Sequence, residues 1–88
     1  MKGTVSIVKM TNGDDFRVIF YGTEMPEGMD PSASYVAKGM HGLSGFLAAI
    51  GVHSDKQQAI RDALRMESST NILEYSVPDD VLMHFGLL

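Results

Sequence analysis

Hydrophobic positions in the first 21 residues recur on a period of two. Val5 and Ile7 stand on one side of a polar break, and Phe16, Val18 and Phe20 stand on the other. That period belongs to half-buried strands. Asn12-Gly13 occupies the break and supplies the positive φ angles of a two-residue type I′ turn, whose twist suits paired strands. A turn there implies a register in which Lys9 faces Phe16, Ile7 faces Val18 and Val5 faces Phe20. Val5, Ile7, Phe16, Val18 and Phe20 then share one apolar face that another layer must cover. The opposite face carries Thr4, Ser6, Val8, Arg17, Ile19 and Tyr21, which a single core does not account for.

Regular patterning stops over residues 22–31, where two prolines, two glycines and three carboxylates predict a loop. Residues 32–50 then admit two readings. In one, Asp30 caps a helix with Pro31 at its first position, and Val36, Met40, Leu43, Leu47 and Ile50 share a face. In the other, Ala33 to Lys38 is a strand and a short helix runs from Leu43 to Ile50. Gly39, Gly42 and Gly45 favour the second, because each costs about 1 kcal/mol relative to alanine inside a helix.

Helical spacing is plainer further on. Gly51 fits the position just past a helix end, with Val52 as its hydrophobic companion. Ser54 and Gln57 form a capping-box pattern, and Ala59, Ile60, Ala63 and Leu64 follow on one helical face. Ser68-Ser69-Thr70-Asn71 closes that helix. Ile72 to Val77 reads as a strand with Leu73, Tyr75 and Val77 inward, and Pro78-Asp79-Asp80 opens a last short helix that Gly86 stops. The sum is an α+β class: a small, mainly antiparallel sheet of the hairpin and one or two further strands, packed on one face by two or three short helices.

Composition narrows the function classes more than the fold. Eighty-eight residues, 44% hydrophobic and 20% charged, predict one small globular domain. No apolar run nears the roughly 20 residues of a membrane span, and Met1 to Thr4 leads directly into strand patterning, so neither a membrane segment nor a signal peptide is expected. The absence of cysteine removes disulfides, thiolate metal sites and a cysteine nucleophile, and it agrees with a cytoplasmic setting. A net charge of −4 disfavours nucleic acid as a partner, although a local basic patch remains compatible with it.

Candidate chemistry is sparse. His41, His53 and His84 lack ligand spacing, so neither a metal nor a cofactor is expected. Gly39, His41, Gly42 and Ser44 lie in a glycine-rich string that, as a turn before a helix, would offer free amides to an anion. It has no P-loop ending, and Phe46 stands where a Gly-x-Ser-x-Gly nucleophile turn needs its second glycine. Its Gly39-Met40-His41-Gly42 element has the spacing of a KH-domain clamp without a basic residue inside it. Leu43 to Leu64 has a helix-turn-helix outline whose second helix would present Lys56, Gln57, Arg61 and Arg65 to nucleic acid, but Asp55, Asp62 and Glu67 share that helix. The loop carboxylates match no calcium motif.

Residues left over after one core is filled point elsewhere. They are Val8, Ile19 and Tyr21 on the second hairpin face, Met25 and Met29 in the acidic loop, and Leu87 and Leu88 at the end. Adaptable methionines and unburied aliphatics suit a contact surface. The leading expectation is therefore a non-enzymatic module that binds a protein partner or a second copy of itself. Nucleic-acid binding through residues 43–67, or an anion at Gly39–Gly45, stands as the alternative.

Overall fold

The computed structural model describes residues 2–11, 13–22 and 34–86. Its elements are β1 (Lys2–Lys9), β2 (Phe16–Gly22), β3 (Ser34–Ala37), α1 (Gly39–Ala49), α2 (Ser54–Met66), β4 (Ser69–Ser76) and α3 (Asp79–His84). The strands form one antiparallel sheet in the order β3-β2-β1-β4. The fold is α+β, with the N-terminal hairpin at the centre of the sheet. The helices α1 and α2 carry the chain from one sheet edge to the other.

β1 and β2 pair in the register the turn implies: Val5 with Phe20, Ile7 with Val18, and Lys9 with Phe16. The ladder runs one step further, where Met10 N–H donates to the Asp15 carbonyl at 3.0 Å. Gly13 has φ +133°, a conformation that favours glycine. Asn12 lies outside the described residues, and with it the turn type.

All five inward hairpin residues are buried, and the helices supply their cover through Leu43, Phe46 and Leu47 of α1, Leu64 of α2 and Leu82 of α3. An aromatic trio links the layers. Tyr35 of β3 stacks on Phe46 at 5.8 Å, and Phe85, the residue that ends α3, meets their rings at 4.6 and 5.1 Å. Edge-on geometry of this kind adds roughly 0.5–1.5 kcal/mol per pair beyond area burial. It ties the end of the described chain into the core.

Three local expectations are corrected. The first concerns α1, which begins at Gly39 and not at Leu43. Gly39 takes φ +68° and turns the strand into the helix within one residue, while Asp15 accepts its free N–H at 3.2 Å. Gly42 lies so near β3 that a Cβ there would be 3.4 Å from the Ala37 carbonyl carbon. Close packing and an outside acceptor thus offset part of the glycine cost.

The second concerns the start of α2. Its N-cap is His53, no side chain caps it, and Gln57 reaches back to the Val52 carbonyl instead, at 3.0 Å. The preceding helix end fixes that frame. Val52 N–H donates to Leu47 O at 2.9 Å and Gly51 N–H to Ala48 O at 3.0 Å, with Gly51 at φ +85°, the paired bonds of a Schellman motif.

The third concerns β4, which begins at Ser69, so three of the four residues read as closing α2 are strand. β1 decides this by pairing Val8 with Ser69 and Ile7 with Thr70, a partner overriding weak local propensity. A register shift between Gly3 and Val5 sets Gly3 against Tyr75 and Val5 against Ile72. Ile72 therefore enters the core along with Val77. The side chain of Leu73 lies outside the described set.

Candidate functional site

Because the helices cover one face of the sheet, the other is defined by the ladder itself. Arg17 of β2 lies between Val8 of β1 and Val36 of β3; Ile19 lies between Ser6 and Ser34, and Tyr21 lies opposite Thr4. No described helix covers this face. Val8 is 36% exposed and Tyr21 54% exposed, while Ile19 and Val36 are half-buried by their neighbours. The three hairpin residues singled out from the sequence are thus brought onto one surface. Val36 joins them and was missed, because strand period alone did not reveal which sheet edge β3 would take. Met25, Met29, Leu87 and Leu88 lie outside the described residues.

Polar groups on this face are ordered by one another. Ser6 Oγ donates to Asn71 Oδ1 at 2.6 Å, and Arg17 Nη1 donates to Ser34 Oγ at 3.3 Å. Lys38, at the end of β3, pairs with Asp15 at 3.4 Å. Among the described residues Arg17 has no carboxylate partner, and a hydroxyl is a neutral acceptor that leaves its charge in place. The surface therefore combines aliphatic and aromatic area with a fixed guanidinium.

The glycine string falls elsewhere than expected. Gly39, His41, Gly42 and Ser44 belong to the first two turns of α1. The N–H of Gly39 already donates to the chain's own carboxylate, Asp15. His41 is exposed, and Ser44 Oγ accepts from Arg61 Nη1 at 3.2 Å.

Of the residues proposed for nucleic acid, Gln57, Arg61 and Arg65 follow one another along one stripe of α2, and Lys56 does not share it. At about 100° per residue, Arg61 and Arg65 lie about 140–180° round α2 from Lys56. Lys56 stands 5.4 Å from the centre of the Tyr75 ring, beside a groove of ≈ 450 Å³ between α2 and β4. Gln57 is half-buried and engaged with Val52. Arg61 donates to Ser44 and, at 3.0 Å, to Gln58 Oε1, and Arg65 approaches Asp62 at 3.8 Å. Arg61 and Arg65 instead meet Lys9, a residue sequence reasoning passed over, around a small pocket of ≈ 120 Å³.

Among the described residues no group of three His, Cys, Asp or Glu side chains is placed to hold a metal ion. No helix there is long and apolar enough to cross a membrane. No family model, curated protein or solved structure matches the chain at a significant level.

Proposed function

We propose that this chain is a non-enzymatic interaction module that docks a protein partner on the outer face of its sheet. The observation that carries the reading is the cluster Val8, Ile19, Tyr21 and Val36 around Arg17, on a face no described helix covers. Such patches on small domains mark contact sites when they combine apolar area with ordered polar groups. Tyrosine and arginine are the residue types that most often anchor such contacts. Lys2, Arg17 and Lys38 lie on or beside this face, and the described carboxylate near them, Asp15, is tied to Lys38. That charge suits a partner segment whose apolar residues are flanked by carboxylates. It suits self-docking of the same face less, because a two-fold contact sets the patch against itself.

A photo-crosslinking phenylalanine analogue at position 21 tests this, with the same group at the 87% exposed Met66 as its control. The expected result is one discrete adduct from position 21 only. Its purified partner should bind at least tenfold more weakly to the Ile19→Arg variant, which keeps its circular dichroism. Equal, diffuse cross-linking from both positions would sink the proposal. An adduct of twice the chain mass would replace an external partner with self-association.

A further inference from the structure

At the hairpin end of the sheet, on its helical side, three cations from two distant stretches of sequence converge. Lys9 at the end of β1 and Arg61 and Arg65 of α2 line one pocket of ≈ 120 Å³, whose remaining walls are Phe16, Met40 and Leu64. Among the described residues no carboxylate lines it. The pocket shares Lys9, Phe16 and Met40 with an adjoining cleft of ≈ 310 Å³ that is completed by Asp14 and Gly39.

Gathering like charges is unfavourable unless something offsets their repulsion. The described contacts offset it little. Arg61, half-buried, donates to Ser44 Oγ and Gln58 Oε1, two neutral acceptors that orient the guanidinium without cancelling its charge. Arg65 has Asp62 at 3.8 Å, an exposed i,i+3 pair that water screens strongly. Lys9 is exposed, and its backbone N–H, not its ammonium, is what bonds to the Ser68 carbonyl. The chain as a whole is acidic, at −4, so this concentration of positive charge runs against its composition.

We propose that the pocket binds the phosphate of a small phosphomonoester, whose apolar body lies along Phe16 and Met40 in the adjoining cleft. Charge selects that ligand. A phosphomonoester carries about −1.5 to −2 charges at pH 7 and three acceptor oxygens, which match two guanidinium forks and an ammonium; a carboxylate offers one charge and two oxygens. The pocket of ≈ 120 Å³ takes the tetrahedral oxyanion, and the cleft that shares Lys9, Phe16 and Met40 with it takes the rest of the ligand. Asp14 in the cleft disfavours a second anionic group on the same ligand. Lys56, on the far side of α2, takes no part in this pocket, so the helix presents no continuous phosphate track.

Phenyl phosphate, inorganic phosphate and benzoate, titrated at low salt into the isotope-labelled full chain and followed by amide and arginine side-chain NMR, test the proposal. Saturable shifts are expected at Lys9, Met40, Arg61, Leu64 and Arg65. Phenyl phosphate should bind tighter than inorganic phosphate and at least tenfold tighter than benzoate. Lys9→Gln and Arg65→Gln alter exposed side chains, so the fold persists, and each should weaken phenyl phosphate at least tenfold. Lys56→Gln should leave it unchanged. The absence of saturable shifts at about 20 mM ligand would overturn the site, since millimolar binding already needs only about −4 kcal/mol. So would a Lys56→Gln loss as large as that of Arg65→Gln, which marks diffuse electrostatics. A short DNA duplex that binds tighter than phenyl phosphate and displaces it would overturn the small-molecule assignment in favour of nucleic acid.

Discussion

Replacing Gly45 by alanine should make this protein more stable. Gly45 lies inside α1, its φ is not positive, and a Cβ built there meets no described atom within 4 Å. The residue is exposed, so the methyl group neither fills nor crowds the core. What remains is backbone entropy, worth about 0.8–1.0 kcal/mol between glycine and alanine in a helix interior. For a chain of this length that raises the melting midpoint by about 4–8 °C per kcal/mol. Gly51→Ala is the internal control. It carries φ +85° at the end of the same helix, and its Cβ also meets no described atom within 4 Å. Steric room is therefore matched and only the backbone conformation differs, so a loss of about 1–2 kcal/mol is expected there. Thermal and urea melts of both variants, with the denaturant slope checked for constancy, read the two signs. A Gly45→Ala midpoint at or below the parent would refute the reasoning. It would mean that α1 does not include this residue in solution, or that a close neighbour needs the missing side chain.

Asp15→Ala should cost about 0.5–2 kcal/mol and speed amide exchange at Gly39, because it removes the acceptor at the start of α1 together with the Lys38 ion pair. Phe46→Ala removes the ring that Tyr35 and Phe85 both contact, at a cost of about 3–5 kcal/mol. Measured against the roughly 4–13 kcal/mol expected for a chain this long, that leaves a variant with a shallow or absent melting transition. Tyr21→Thr should shift stability by no more than about 0.5 kcal/mol in the same melts, since the residue is 54% exposed and threonine also suits a strand. A loss of several kcal/mol would show that the outer face is covered within the chain.

The parts of the fold that were legible in the sequence are those where local chemistry and tertiary partner agree. The hairpin register followed from where the turn must sit, and Gly51 with Val52 announced the end of α1 because both residues serve the same motif. The misplaced boundaries share an opposite cause. Gly39 and Gly42 looked like helix breakers until Asp15 and Ala37, both from outside α1, supplied a cap and a close contact. Ser69 and Thr70 looked like the close of a helix until β1 claimed them as a ladder. The candidate sites divide in the same way. Val8, Ile19 and Tyr21 share a face by strand period alone. Lys9 joins Arg61 and Arg65 only once α2 has been laid across the sheet, and no spacing in the sequence encodes that meeting.

Both candidate surfaces use one device, and it explains why an acidic chain can present basic sites. Of the seven lysines and arginines, Arg17 and Arg61 are each anchored by a serine hydroxyl from a neighbouring element, Ser34 and Ser44. A carboxylate in either place would orient the guanidinium as well but would cancel its field. A hydroxyl orients it and leaves the charge for a ligand, at the cost of holding a long side chain in one rotamer with no ion pair in return. Exchanging Ser44 for aspartate separates these two effects. A Ser44→Asp variant keeps Arg61 in place, so stability should hold or rise slightly, yet phenyl phosphate binding should fall at least tenfold. If affinity survives that exchange, Arg61 orders the fold and the anion is held by other groups.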